Sequence, residues 1–185
     1  HIFLAAGRDP SVMIGGTLPI LGCGHRVGHG DTIIAESCEY CNSFLSFAPT
    51  VAVILNVEAD HLDFFKDLED IKASFRKFAE LVPSTGSVIV NNYNAGARSV
   101  ACGLDAFTFG LEEGAECTAA NLTWDRGLPA FDILVRGEHY ARVTLRVGGV
   151  HNVSNALAAA SAAYVLGVPV PGEVCGGPLR PLLQA

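Results

Sequence analysis

The run Val51-Ala-Val-Ile-Leu55 is apolar at every position, and Asp31-Thr-Ile-Ile-Ala35 ends in a shorter run of the same kind. A strand with one wet face alternates apolar and polar residues. A run that is apolar throughout asks for cover on both faces, as in a parallel strand inside an α/β layer. Both runs therefore read as buried parallel strands, Thr32–Ala35 and Val51–Asn56. Between Leu68 and Leu81, apolar residues recur at 68, 71, 75, 78 and 81, the spacing of one helical face. Pro83 and Gly86 end that helix. Ser87–Val90 and Ala106–Phe109 supply two further short strands, with Asn91-Asn-Tyr-Asn94 as a turn.

From Cys117 the texture changes. Stretches at about 117–124, 130–136 and 140–147 alternate apolar and polar residues, joined by Asp125-Arg-Gly127 and Arg136-Gly-Glu138. That is the pattern of antiparallel hairpins. An alanine-rich helix, Asn152–Leu166, follows Gly148-Gly149 and stops at Gly167. The expected fold class is α/β: a mostly parallel central sheet flanked by helices, with a small antiparallel β meander at its edge. Ahead of this lie a helical opening, a short strand Ser11–Ile14 ended by Gly15-Gly16, and a glycine-rich loop from Thr17 to Gly30. A short helix is expected around Cys38–Phe47. One domain is read over 1–170, with an irregular tail at 171–185. Both ends read as cuts, because the chain opens inside a helical pattern without an N-cap and closes in no regular element.

Charge and cysteine usage narrow the function. Twelve basic residues stand against nineteen acidic, a formal charge of −7, without a Lys/Arg cluster. That argues against a nucleic-acid partner. No apolar run reaches the roughly 18 residues of a membrane span, so no membrane partner is expected. The opening lacks the layout of a signal peptide. Six cysteines are scattered too widely for a disulfide framework, which suits a reducing, cytoplasmic setting.

Chemistry concentrates where the two apolar runs end. Glu36 follows the first, and His61 lies in Val57-Glu-Ala-Asp-His-Leu-Asp63 after the second. Ligands of open α/β sheets bind at the carboxyl ends of the strands. A carboxylate and an imidazole there can share a divalent cation that takes the rest of its shell from water and phosphate. Asp60 and Asp63 make the local field negative. Asn56, at the end of the second strand, is open to two readings, orienting a ligand or capping the loop. Cys38-Glu-Tyr-Cys41 has half the ligands of a structural zinc site and no matching second half, and reads more simply as two small semi-buried side chains. In His151-Asn-Val-Ser-Asn155 the two asparagines lie three apart at a helix start, hence on one face. Their amides suit the edge of adenine, although Asn152 also reads as an N-cap. No G-x-x-x-x-G-K-[ST] phosphate loop occurs in the chain.

Three segments in order, Ala35-Glu36 to Ser43-Phe44-Leu45, Asn56 to Asp63, and His151-Asn-Val-Ser-Asn155-Ala-Leu-Ala-Ala159, resemble the Mur ligases. The similarity runs over about residues 1–170 and is strongest to the branch that joins L-alanine to UDP-N-acetylmuramate. The resemblance implies a central ATPase domain, with ATP and Mg2+ as cofactors and those two molecules as substrates. The reaction it implies forms an amide through an acyl phosphate and serves peptidoglycan synthesis. It implies Glu36 and His61 as catalytic metal ligands, His151, Asn152 and Asn155 as adenine contacts, and Asn56 and Glu39 as linings of the substrate cleft. The acidic motif departs from the family pattern, since two acids are replaced in Ser37-Cys-Glu-Tyr-Cys-Asn42. With the phosphate loop lying before His1, the chain alone is expected to have no ligase activity. Alternatives from the same residues are a muropeptide-recycling, folylpolyglutamate or cyanophycin-type relative, a non-catalytic nucleotide-binding module, and a CxxC zinc module.

Overall fold

The computed structural model describes residues 1–169. The tail expected at 171–185 lies outside the described residues. After helix α1 (Ile2–Ala5), strands β1 (Ser11–Leu18), β2 (Cys23–Arg26) and β3 (Ile33–Ala35) form a sheet of their own, in the order β2-β1-β3. β1 and β3 are parallel, β1 and β2 antiparallel. Two expectations are corrected here. The first strand does not stop at Gly15-Gly16 but runs through to Leu18, and the supposed loop holds β2. Glycine serves close approach rather than a turn: a Cβ on Gly24 would collide with the carbonyl oxygens of Ile14 and Gly16. Nor is β3 buried, since Ile33 is 77% and Ile34 36% exposed.

The main sheet has six strands in sequence order. β4 (Val51–Ile54), β5 (Ser87–Asn91), β6 (Ala106–Gly110) and β7 (Cys117–Asp125) run parallel. β8 (Leu128–Val135) and β9 (Glu138–Thr144) then fold back antiparallel, so the meander extends the sheet as expected. Helix α2 (Leu68–Glu80) starts at an N-cap, Asp67, whose carboxylate accepts the Asp70 N–H at 3.0 Å. Helix α3 (Ala95–Ala101), absent from the sequence expectation, is capped in the same way by Asn94. Helix α4 (Val150–Val165) closes the described fold.

Strand alternation sorts the core into two layers. Val88 and Val90 of β5 turn toward α2 and α3, where they meet Ile71, Ala97 and Val100. Ile89, Phe107 and Phe109 turn the other way, onto Val153, Leu157 and Ala160 of α4. Burying a side chain of this size stabilises by roughly 1.5–3 kcal/mol. A rigid sheet between two helical layers therefore fixes the loops at its carboxyl edge. Among the described residues, no helix is long and apolar enough to cross a membrane.

Candidate metal and nucleotide site

β4 ends at Ile54, and the chain leaves it along the carboxyl edge as Asn56-Val-Glu-Ala-Asp-His61. A cavity of about 330 Å3 opens there, with Ser37, Glu39, Asn56, Glu58, Asp60 and Phe75 among its walls. The backbone N–H of Val57 donates to Asn94 Oδ1 at 3.0 Å, which ties this loop to the start of α3. His61 sits at φ 51°, an unusual backbone angle for a side-chain-bearing residue. Its N–H donates to Asp60 Oδ1 at 2.7 Å, and its carbonyl oxygen accepts from Phe64 and Phe65, both at 2.9 Å.

The carboxylate brought to His61 is Glu39. Glu39 Oε1 lies 3.6 Å from His61 Nε2, and Asp60 Oδ1 lies 4.0 Å from His61 Nδ1. One ligand atom from each of Glu39, Asp60 and His61 falls within 4.8 Å of the others. Glu36 turns elsewhere: its carboxylate accepts the N–H of Gly15 at 2.7 Å, in the small sheet. Expecting Glu36 to pair with His61 assumed that both strands point the same edge at one ligand. The two strands belong to different sheets. The turn that follows is bent sharply, because Cys41 and Asn42 take φ of 53° and 58° inside the 3₁₀ segment Tyr40–Ser46. Asn56 and Glu39 do line one cavity, whereas Cys38 and Cys41 are exposed rather than semi-buried and stand outside the Glu39–Asp60–His61 group.

Sequence reasoning passed over Tyr40. Its ring packs on the His61 imidazole, with centroids 4.7 Å apart, and meets Phe64 edge-on at 6.0 Å. Its hydroxyl donates to Asp63 Oδ2 at 2.8 Å, and that carboxylate holds the phenol above its usual pKa. An aromatic residue next to an acid in a loop carries no periodic signal.

The His-Asn-x-x-Asn segment forms the first turns of α4. The N-cap is Gly149, at φ 100°, without a side-chain cap; the Asn152 N–H turns back to the Gly149 carbonyl at 3.1 Å, and no side chain covers the helix start. Asn152 is not the cap; its Nδ2 donates to the Gly148 carbonyl at 2.7 Å, and its Oδ1 receives a long 3.4 Å contact from Asn155 Nδ2. His151 and Asn155 are exposed. Gly148 packs against Gly127 at the β7–β8 turn, beyond the carboxyl end of β7. The α4 N-terminus and the Asn56–His61 loop therefore face the same edge of the parallel strands.

Residues 31–163 match the family described as the Mur ligase middle domain. The chain belongs to the Mur ligase family. It is 42% identical over 178 residues to a UDP-N-acetylmuramate–L-alanine ligase of Clostridium novyi (strain NT), covering 95% of this chain and 39% of that protein. A protein of the same name from Caldanaerobacter subterraneus is 43% identical, over 88% of this chain and 36% of that protein. Among solved structures, a UDP-N-acetylmuramate:L-alanyl-γ-D-glutamyl-meso-diaminopimelate ligase of Neisseria meningitides superposes with a TM-score of 0.78 at 28% identity. That match covers 90% of this chain and 56% of the other. The UDP-N-acetylmuramate–alanine ligase of Thermotoga maritima has the same TM-score at 23% identity, over 92% and 38%. This Mur ligase domain thus spans about two fifths of the length of the curated relatives it matches.

Proposed function

We propose that the chain is the ATP-binding middle domain of a ligase that adds L-alanine to UDP-N-acetylmuramate, with ADP and phosphate as the other products. What supports this reading is that Glu39, Asp60 and His61 cluster at the sheet edge that the side-chain-uncapped N-terminus of α4 also faces. The names and identities of the curated relatives support the substrate assignment.

The donor set fits a divalent cation. Two carboxylates and an imidazole converge from two loops, and the surrounding acids, Glu58 and Asp63, add negative field. A bound Mg2+ would offset charge on phosphate oxygens and on the carboxylate being activated. Asp60 Oδ1 is engaged by the His61 N–H, which fixes that carboxylate's direction. At the other end, the amides of Asn152 and Asn155 offer donor and acceptor to a purine edge; the 3.4 Å contact between them is weak enough to yield to a base. Asn56 lies on the cavity wall, where it can hydrogen-bond a phosphate or the acyl group. A carboxylate is a poor electrophile, and phosphorylation by ATP gives its oxygen a leaving group for the L-alanine amine. In that scheme the protein's part is positioning and electrostatics.

The test is ADP release by the full-length protein given ATP, UDP-N-acetylmuramate and L-alanine. ADP release that depends on L-alanine and drops at least about a hundredfold in Glu39→Gln supports the proposal. A second reading, ligation of a preformed peptide, is favoured by the likeness to the Neisseria enzyme. It would be preferred if ADP release required L-alanyl-γ-D-glutamyl-meso-diaminopimelate instead. Nucleotide binding without ADP release under either condition would point to a non-catalytic module.

A further inference from the structure

Glu39 and His61 reach each other from loops that follow strands of two different sheets, so something must hold the two loops in register. Glu39 is followed at once by Tyr40, and the Tyr40 side chain crosses to the other loop. There its ring lies on His61 at 4.7 Å and its hydroxyl is anchored on Asp63 at 2.8 Å. Phe64 closes the outer edge of the ring and is itself set edge-on against the buried Phe65, with centroids 4.9 Å apart. The imidazole has few other restraints. Its nearest carboxylate contacts, at 3.6 and 4.0 Å, are longer than hydrogen bonds, and its backbone is in the left-handed region. A ring with such loose polar contacts takes its direction from what it packs against.

We infer that Tyr40 is a positioning residue of the cation site, holding the His61 imidazole toward Glu39 by packing its tilted ring against one side while its hydroxyl is tethered to Asp63. The inference rests on the cation reading above. Groups that orient a metal ligand typically change affinity by about 10–100-fold when removed. The ring supplies the packing and the hydroxyl the tether, so the two contributions separate by substitution. Tyr40 is 38% exposed, so its truncation leaves the two core layers untouched.

The test uses Mn2+ alone as the probe, titrated into the 185-residue chain and followed by electron paramagnetic resonance. Pulsed measurements on the same samples read 14N modulation from a coordinated imidazole. Glu39→Gln and His61→Ala are expected to weaken Mn2+ binding, and His61→Ala to remove the 14N modulation. Tyr40→Ala is expected to weaken binding about tenfold and to diminish the 14N modulation of the Mn2+ that remains bound. Tyr40→Phe keeps the ring and should restore most of both. Unchanged unfolding midpoints in these variants separate positioning from general stability. If Glu39→Gln and His61→Ala weaken binding but Tyr40→Ala matches the wild type in affinity and 14N modulation, the inference about Tyr40 is overturned alone. Mn2+ binding that ignores Glu39→Gln and His61→Ala overturns the cation reading and this inference with it.

Discussion

Val57 and Asn94 share a hydrogen bond that joins the Asn56–His61 loop to the main sheet's helical layer: the Val57 N–H donates to Asn94 Oδ1 at 3.0 Å. The same oxygen accepts the Ala97 N–H at 2.8 Å and so caps α3. Gly96 sits directly beneath this junction, because a Cβ there would overlap the Val57 carbonyl oxygen. Asn94→Ala therefore removes both of these hydrogen bonds and the long 3.5 Å contact from Asn94 Nδ2 to Glu58 Oε1, and a loss of about 1–2 kcal/mol in urea unfolding is expected. Gly96→Ala should cost about 1–3 kcal/mol by overpacking and also shift the Asn56–His61 loop. The check is whether Mn2+ affinity falls along with stability in Gly96→Ala. Stability lost with affinity intact would show that the loop does not depend on this contact.

Glu36 and Glu39 are three residues apart and make opposite predictions. Glu36→Gln can still accept the Gly15 N–H, so both Mn2+ affinity and activity of the full-length protein should stay within about twofold of wild type, because a neutral acceptor replaces a charged one at an exposed bond. Glu36→Ala loses that acceptor and should cost about 1 kcal/mol in the small sheet. A collapse of cation binding in Glu36→Gln with Glu39→Gln unaffected would return the ligand role to Glu36.

Much of the fold was legible because burial writes a period. The spacing of Leu68, Ile71, Phe75 and Phe78 located α2, and the all-apolar Val51–Ile54 located a strand of the main sheet. β2 was not legible: Cys23-Gly-His-Arg26 has no apolar face to bury, and its pairing depends on Gly24 letting two backbones close. α3 left a signal that went unused, an asparagine N-cap followed by Ala95, Ala97 and Arg98. At the candidate site, the positions of His61 and Asn56 after β4, and of the asparagine pair at the start of α4, were legible from residue type and order. Which glutamate faces His61 was not. Glu36 follows β3 of the small sheet and Glu39 lies three residues further on, beside His61, and sheet membership is not a local property of the sequence.

Cys117 gives the domain a pH dependence of stability on the alkaline side. Burial in the α4 layer pushes its thiol up from 9.0 to about 11. Between those values the unfolded chain has released the proton and the folded chain retains it. The folded state binds more protons there, so stability falls as pH rises. The contribution is intact below about pH 9 and is lost progressively toward pH 11, at most about 2–3 kcal/mol. Urea midpoints measured at pH 8 and pH 10.5 should separate by more in the wild type than in Cys117→Ala. Equal separations would show that other groups carry the alkaline loss. In native buffer the same thiol should resist an aqueous disulfide reagent that modifies the exposed Cys38 and Cys41.

Trp124, the one tryptophan of the 185 residues, can serve as a reporter for the proposed base site. It pairs with Pro129 across the β7–β8 hairpin, and Pro129 shares strand parity with Phe131 and Ile133, which face α4. The indole is therefore on the α4 face of the sheet, at the turn where Gly127 meets Gly148, and it remains 47% exposed. A base received by Asn152 and Asn155 would enter the solvent next to it. Titrating ATP into the full-length protein should change its tryptophan emission saturably, and the Trp124→Phe variant should lose the part of that change that Trp124 contributes. Asn155→Ala removes a donor and acceptor from the purine edge and should weaken the ATP titration about tenfold, in line with about 1–1.5 kcal/mol for one neutral hydrogen bond. The same variant should lose preference for ATP over GTP, because the ribose and phosphates are common to both. An Asn155→Ala titration that overlays the wild type would move the base away from the start of α4.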